Sequence, residues 1–325
     1  WISDRLQKRK PFVIAGYSLS TFSKIILGLS YIWPFVLIAR FVDRFGKGIR
    51  TSARDSLITE SCPENIRGKS FGFHRALDTL GDVFCPLDAI MFLAIFNDNL
   101  RLVFYIAAIP GLLGIILLIV FVREKKKRPL CFADLKLKWR DVNPSFKLFL
   151  LISIIFSIGN SSDAFLILRA QDLGLAIKIT ILAYVLFNFT YALFSIPAGI
   201  IVDKIGAKKV LVTGLLIFGL VYFFLGFINK SLFIWFLFPV YGIYMALTEG
   251  VGKAYISLMV PQEKSGTAFG IYQTSVGICS FFSSLIAGLM WNYINVKFPF
   301  YFGSITALVA AILFIVLGRK INTVK

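Results

Sequence analysis

Apolar runs of about 20 residues follow one another along almost the whole chain, and each is long enough for a helix to cross a bilayer. Because 58% of the 325 residues are hydrophobic and only 16% are charged, a water-soluble fold could not bury the apolar surface. We therefore predict an all-α polytopic membrane protein. The predicted spans are 12–29, 31–58, 67–96, 102–122, 148–168, 179–201, 210–228, 232–259, 267–291 and 299–318.

The net charge of +18 lies in short clusters between the apolar runs rather than on one basic face, so nucleic acid is not a predicted partner. If segment 3–10 is cytoplasmic, 22 of the 35 Lys and Arg residues lie in cytoplasmic segments and 5 in outer connections. This bias predicts a plasma (inner) membrane protein with a cytoplasmic C-terminus and a cytoplasmic linker, 123–147. The linker cations either contact anionic lipid or only orient the chain.

An internal repeat divides the chain into two similar parts. Asp4-Arg5 recurs 199 residues later as Asp203-Lys204, and a second landmark from Pro63 to Gly72 recurs from Pro261 to Gly270. The repeat predicts a first half at 1–122 and a second half at 148–325, on either side of the linker. Two spans precede the second copy of the loop and none precedes the first, so we expect ten of twelve helices, with the first two absent.

The two repeated loops resemble the G-x-x-x-D-[RK]-x-G-x-[RK]-[RK] loops of the major facilitator superfamily. The matching residues are Asp4, Arg5, Arg9 and Lys10 in the first copy, and Gly199, Asp203, Lys204, Gly206, Lys208 and Lys209 in the second. Gln7 replaces the second glycine of the first copy. The resemblance implies two pseudo-symmetric six-helix halves that transport a small molecule by alternating access.

By this resemblance, each loop carboxylate should dock at a helix N-terminus, where unpaired N–H groups carry partial positive charge. Asp4 should reach the helix that begins near Gly266, and Asp203 the helix that begins near Gly68. Such contacts would be breakable gating latches. The alternative is that these residues only form turns and orient the chain.

A second resemblance lies on span 67–96. Proton-antiporting exporters of the family carry G-x8-G-x3-G-P-x2-G-G on their fifth helix, and here Gly72, Gly81 and Pro86 match while Cys85 replaces a glycine. Small residues allow helices to approach closely, and proline permits bending. This partial match favours export by antiport over uptake.

Span 31–58 has a cationic face, because five Lys and Arg side chains fall within an arc of about 120° on a helix. These residues are Arg40, Arg44, Lys47, Arg50 and Arg54. Three acids of the next span are expected level with this face: Asp78 with Arg50, Asp82 with Lys47, and Asp88 with Arg40. Either the charges cancel in a structural zipper, or some cations face a central cavity and bind an anionic or zwitterionic substrate.

Proton coupling requires an acid that can exchange a proton inside the membrane. The candidates are Asp78, Asp82, Asp163 and Glu249, although Glu249 can also pair with Lys253 on the same helical face. The chain contains no G-x-x-x-x-G-K-[ST] loop, so an ion gradient is the expected energy source. The cysteines have no CxxC spacing, and we predict neither a metal site nor a cofactor.

The sequence thus predicts a secondary transporter, most simply a proton-coupled exporter or antiporter, rather than an enzyme. Its expected partners are a small-molecule substrate, protons and membrane lipids, and we expect a monomer. Three alternatives stay open: an ion-coupled importer of a small anionic metabolite, a membrane-embedded enzyme, and a non-transporting receptor with the same fold.

Overall fold

The computed structural model describes residues 1–97, 99–124 and 143–317, which form helices joined by short connections and contain no strand. The prediction of an all-α fold is confirmed. The helices are α1 (Ile2–Leu6), α2 (Lys10–Gly28), α3 (Trp33–Ser61), α4 (Arg67–Ile95), α5 (Leu100–Phe121), α6 (Pro144–Gly159), α7 (Ala164–Asp172), α8 (Ile177–Ile205), α9 (Ala207–Phe227), α10 (Ile234–Met259), α11 (Ser265–Tyr293) and α12 (Phe298–Val316).

Eight helical segments of the described chain are long and apolar enough to cross a membrane. They correspond to α2, α5, α6 with α7, α8, α9, α10, α11 and α12. Helices α3 and α4 are 29 residues long but carry many charged side chains. The chain is therefore a multi-pass membrane protein, and the exact number of its spans stays a prediction.

One expected span is interrupted. The sequence predicts a continuous helix over 148–168, whereas α6 ends at Gly159 and α7 begins at Ala164. Serine and asparagine side chains compete for backbone hydrogen bonds and weaken a helix. Here the Ser162 N–H donates to Ser284 Oγ at 3.2 Å, and Ser162 Oγ accepts from the Ala164 N–H at 3.3 Å. The expectation that Asp163 lies inside an unbroken helix is wrong.

The chain forms two compact units. Among the described residues, the first contains 1–61, 84–97, 99–124 and 262–270. Within it, α2 packs along α3 and α5. The Lys24 ammonium of α2 donates to the Ala107 carbonyl of α5 at 3.0 Å, so the cation is satisfied inside the helix layer.

The second unit contains, among the described residues, 62–83, 143–261 and 271–317. Helix α10 packs on α8 and α9, while α12 packs on α9 and α6. Large aromatic side chains fill its core, including Phe187, Phe218, Tyr222, Tyr241 and Phe300, each at most 2% exposed. In a membrane such van der Waals packing, rather than escape from water, holds helices together.

These units do not coincide with the predicted halves, because α4 and α11 each contribute residues to both units. The division at 1–122 and 148–325 stays a prediction. Most of the predicted linker, 125–142, lies outside the described residues, as does the C-terminal segment 318–325.

Candidate functional site

The first repeated loop contains a buried carboxylate at a helix N-terminus. Asp4 belongs to α1 and is fully buried, and its carboxylate accepts hydrogen bonds from the Gly266 N–H at 3.1 Å and the Thr267 N–H at 2.6 Å. The Thr267 hydroxyl also donates to it. These contacts cap the first turn of α11, where N–H groups have no partner within the helix. The docking that the family resemblance implies is present, and its gating role stays a prediction.

A buried arginine neutralises this carboxylate. Arg9 is fully buried, and its guanidinium lies 2.6 Å from Asp4 Oδ1 and 3.2 Å from Glu60 Oε1 of α3. It also donates to Ser3 Oγ at 3.0 Å and to the Glu263 carbonyl at 3.4 Å. One cation thus connects α1, α3 and the turn before α11, which makes the loop a cooperative network rather than a single contact.

The other two cations of the first loop lie beside this network. The Arg5 guanidinium is 5.9 Å from the centre of the Trp1 ring, and the Lys10 ammonium donates to the Ile119 carbonyl at 2.7 Å. The backbone N–H groups of Arg9 and Lys10 both donate to the Glu124 carboxylate, the latter at 3.2 Å. Glu124 therefore caps α2, which sequence reasoning missed because Glu124 stands within a run of cations in the predicted linker.

The second loop makes the corresponding contact. Asp203, near the end of α8, accepts from the Gly68 and Lys69 N–H groups, both at 2.8 Å. These N–H groups lie in the first turn of α4, so this contact also places a carboxylate at a helix N-terminus. Unlike Asp4, Asp203 is exposed. The neighbouring Lys204 is exposed and Lys208 half-buried, and neither forms an ion pair within the part of the chain that the structure describes.

Two glycines allow this second contact. A Cβ added to Gly199 would lie 2.3 Å from the Gly68 carbonyl oxygen, and one added to Gly68 would lie 2.5 Å from the Gly199 carbonyl oxygen. The backbones of α4 and α8 therefore touch at a point where no side chain fits. Arg67, almost fully buried beside them, donates to the Ser257 carbonyl of α10 at 2.6 Å.

The antiporter-like pattern on α4 is only partly engaged in helix packing. A Cβ on Gly72 would lie 2.4 Å from the Ser195 carbonyl oxygen of α8, so this glycine is a close-contact position. Gly81 has open space around it, and Cys85 is exposed. The side chain of Pro86 lies outside the described residues.

The cationic face of α3 is largely open to its surroundings. Arg40, Arg44 and Lys47 are exposed, whereas Arg50 and Arg54 are half-buried. The Arg50 guanidinium lies 4.4 Å from the centre of the Tyr17 ring of α2, and Arg54 Nε lies 3.5 Å from Asp55 Oδ1. Arg40 and Arg44 have no ion pair within the described ranges. The zipper with α4 stays a prediction.

Among the acids of α4, Asp78 pairs on its own helix. Its carboxylate lies 3.4 Å from the Arg75 guanidinium, one turn away. Asp82 and Asp88 are exposed. Arg75 also donates to the Tyr191 hydroxyl and lies 4.0 Å from the Glu249 carboxylate of α10. Sequence reasoning did not select Arg75, although it is the cation that connects Asp78 with Glu249.

Asp163 lies at the interruption between α6 and α7. Its Oδ1 accepts a hydrogen bond from the Tyr241 hydroxyl of α10 at 2.8 Å, and the charges of Glu249 and Arg75 act on it. Polar backbone that leaves the helical pattern inside a membrane is tolerated where it meets protein or a water-filled space. Discontinuous helices form ligand and ion sites in secondary transporters. Asp163, Tyr241, Glu249 and Arg75 form the polar group that we call the Asp163 cluster.

A small cavity adjoins this cluster. Its volume is about 80 Å³, and its wall includes Asn160, Tyr244, Thr248, Glu249 and Tyr272. A space of this size holds a few water molecules or a small functional group. Glu249 therefore has access to the cavity, while its expected partner Lys253 is mostly buried on the same helix.

A polar cluster beside an interrupted helix, together with carboxylates that cap helices at repeated loops, defines a class: multi-pass secondary transporters. The family model described as Major Facilitator Superfamily matches residues 1–168 and 148–322. The chain belongs to the major facilitator superfamily. The expectation of a transporter rather than an enzyme is confirmed.

The similar proteins agree on the family. The uncharacterised MFS-type transporter MJ1317 of Methanocaldococcus jannaschii is 40% identical over 321 residues, which cover 96% of this chain and 79% of MJ1317. The proton:xylose symporter XylE matches with a TM-score of 0.80 at 17% identity, over 99% of this chain and 82% of XylE. The human organic anion transporter MFSD10 matches with a TM-score of 0.76 at 14% identity, over 96% and 78% respectively. The two structures share the fold.

Proposed function

We propose that the protein is a proton-coupled exporter that works by alternating access, with Asp163 as the group that takes up and releases the proton. The observation that carries this proposal is the position of Asp163 at a break in a membrane-spanning helix, bonded to Tyr241 and within reach of two further charges. An acid needs both a polar partner and a route to water if it is to exchange a proton inside a membrane. Tyr241 of α10 is the polar partner, and the small cavity beside Asn160 and Glu249 supports a route to water.

The Arg75–Glu249 pair provides a reason for coupling. Arg75 stabilises one negative charge nearby more easily than two. Protonation of Asp163 therefore changes how strongly Arg75 interacts with Glu249. Loss or gain of a proton at Asp163 would therefore change the contact between α4 and α10. The antiporter-like glycines of α4 favour export as the direction of transport.

The test uses full-length protein in sealed vesicles, with a panel of radiolabelled organic cations, organic anions and sugars as probes. A pH gradient should drive the flux of at least one probe in the direction opposite to the protons. In Asp163→Asn this gradient-driven flux should fall at least about tenfold, while exchange of labelled for unlabelled probe continues. Tyr241→Phe removes only the hydrogen bond and should shift the pH at which transport is half-maximal.

Lys178→Gln is the control, because Lys178 is an exposed charged residue outside the Asp163 cluster and outside the charged face of α3. Its gradient-driven flux should equal that of the wild type. Normal proton coupling in Asp163→Asn would refute the role of Asp163. A flux that follows protons in the same direction would refute export by antiport.

A second candidate function is ion-coupled uptake of a small anionic metabolite. The observation in its favour is that Arg40 and Arg44 on α3 are exposed and have no ion pair among the described residues, because such charges in a span need an anion or water as partner. In the same vesicles, uptake of organic anions together with protons, lost in Arg40→Gln, would favour this function.

We also propose that the repeated loops and the 123–147 segment lie on the cytoplasmic side of an inner membrane, and that the protein works as a monomer. The distribution of Lys and Arg among the connections supports the orientation.

A further inference from the structure

A second, larger cavity lies away from the Asp163 cluster. It is a cleft of about 770 Å³ at the end of the helices where α9 leads into α10 and where α12 begins. Its wall is mostly aromatic and aliphatic, and its polar side chains are gathered in the short connections. The apolar wall includes Leu220, Phe224, Phe227, Phe236 and Val240, and the polar rim consists of Asn229, Lys230 and Lys297.

The apolar wall opens onto the membrane-facing surface. Phe227 is 62% exposed and Phe236 is 68% exposed, and both belong to helices that are long and apolar enough to cross a bilayer. A wall of exposed rings on such helices contacts hydrocarbon rather than water. The volume is within the range of pockets that hold drug-sized ligands, so it can accept segments of acyl chains.

The rim is positively charged. The Lys297 ammonium donates to Asn229 Oδ1 at 3.0 Å, which holds this cation at the mouth of the cleft, and Lys230 is exposed beside it. Within the described residues, neither lysine has a carboxylate partner. Helix α12 begins at Phe298 and α10 at Ile234, so the partial positive charges of two helix N-termini add to the rim.

We propose that this cleft binds an anionic phospholipid, with the headgroup phosphate between Lys230 and Lys297 and the acyl chains along the aromatic wall. The combination of an apolar wall and a cationic rim matches a ligand that has a hydrocarbon part and a phosphate. A small soluble anion would leave the wall uncovered, and a zwitterionic lipid would bring its own cation to the rim. The site is independent of the transported substrate.

The test is native mass spectrometry of the full-length protein, titrated with dioleoyl phosphatidylglycerol or with dioleoyl phosphatidylcholine, which has the same chains. We expect phosphatidylglycerol to bind at least about tenfold more tightly. Lys297→Gln should weaken its binding about fivefold, the effect expected of one lysine near an anionic headgroup, and Lys230→Gln/Lys297→Gln should abolish the preference. Lys178→Gln, an exposed lysine outside the cleft, should leave it unchanged.

A second variant tests the apolar wall. Val240→Trp fills the cleft without touching the lysines and should weaken the binding of both lipids. The proposal would be overturned by equal affinity for the two lipids, by an unchanged preference in the double variant, or by equally tight binding of dihexanoyl phosphatidylglycerol, whose chains are too short to cover the wall. A dimer that forms through the cleft and excludes lipid would overturn it as well.

Discussion

At the scale of single residues, the carboxylates of Asp4 and Asp203 make similar hydrogen bonds in different surroundings. Asp4 is fully buried, paired with a buried Arg9 and bonded to two backbone N–H groups. Asp203 accepts two comparable hydrogen bonds but is exposed. Water and salt screen an exposed charge more strongly than a buried one. The first contact is therefore the stronger of the two.

This difference predicts unequal effects of the same substitution. Asp4→Asn should reduce transport by at least about tenfold, because it leaves Arg9 buried next to a neutral group, whereas Asp203→Asn should cost about threefold or less. The measurement is the transport rate of the full-length protein in vesicles, divided by the amount inserted. Glu263→Gln, an exposed acid in the turn before α11, is the control. A larger loss in Asp203→Asn would contradict the argument.

Arg169 shows how a residue that the sequence marks only as a charge can hold a fold together. It is 2% exposed and donates to the Leu225 carbonyl at 3.0 Å and the Ile228 carbonyl at 2.7 Å, at the end of α9. Arg169→Ala would leave these carbonyls without a donor, at a cost of about 1–3 kcal/mol in the free energy of unfolding. In thermal unfolding in detergent, Arg169→Ala should have a lower Tm than Lys178→Ala. Equal Tm values would contradict the stabilising role of the Arg169 hydrogen bonds.

Sequence reasoning found the residues that a repeated local pattern marks. Asp4 and Asp203 stand in two copies of one loop, so their docking positions could be inferred. Arg75 and Tyr241 could not be found in this way, because their partners are far away in sequence and the chain contains 12 tyrosines and 35 basic residues with no pattern to single these out. Their importance arises only when α4, α8 and α10 pack.

At the scale of helices, the apolar runs predicted where helices lie but not where one breaks. The stretch from Asn160 to Asp163 interrupts a region whose hydrophobicity continues on both sides, and a hydropathy average over a whole span does not detect a gap of four residues. The signal available was local: a glycine, an asparagine and two serines in succession are poor helix formers. These side chains explain the break.

The close contact between α4 and α8 predicts a sensitive position. In Gly199→Ala, the new Cβ would meet the backbone of Gly68, which cannot move aside without separating the helices. We expect a loss of about 1–3 kcal/mol in stability and slower transport. Gly81→Ala is the matched control on α4, because open space surrounds that glycine. The measurement is the Tm of the two variants in detergent. Equal Tm values for Gly199→Ala and Gly81→Ala would show that α4 and α8 can separate without loss of stability.

At the scale of the whole molecule, composition and hydropathy alone predicted the multi-pass helical class, since no water-soluble arrangement could bury so much apolar surface. The repeated loop then identified the family. The number of spans was harder to predict, because α3 and α4 have the length of a span but more charge than a lipid-exposed helix tolerates. Whether these two helices cross the membrane depends on which groups contact their charged faces.

The proposed orientation can be tested with the intact protein. In a cysteine-free background, Lys230→Cys should react with a membrane-impermeant maleimide added to intact cells, because this connection is predicted to face outward. Lys204→Cys should react only after the membrane is permeabilised. Both residues are exposed, so access to the reagent depends on the side of the membrane. The opposite labelling pattern would reverse the topology.

The gap between α6 and α7 has a consequence for electrical leakage. Next to it stand fully buried aromatic rings, among them Phe218, Tyr222 and Tyr241. Polar groups at a helix break can accept water, whereas tightly packed rings exclude it. If Asp163 carries the proton and water reaches the gap, the rings close the onward path of the proton until the helices move. The resting protein would then keep the membrane insulated.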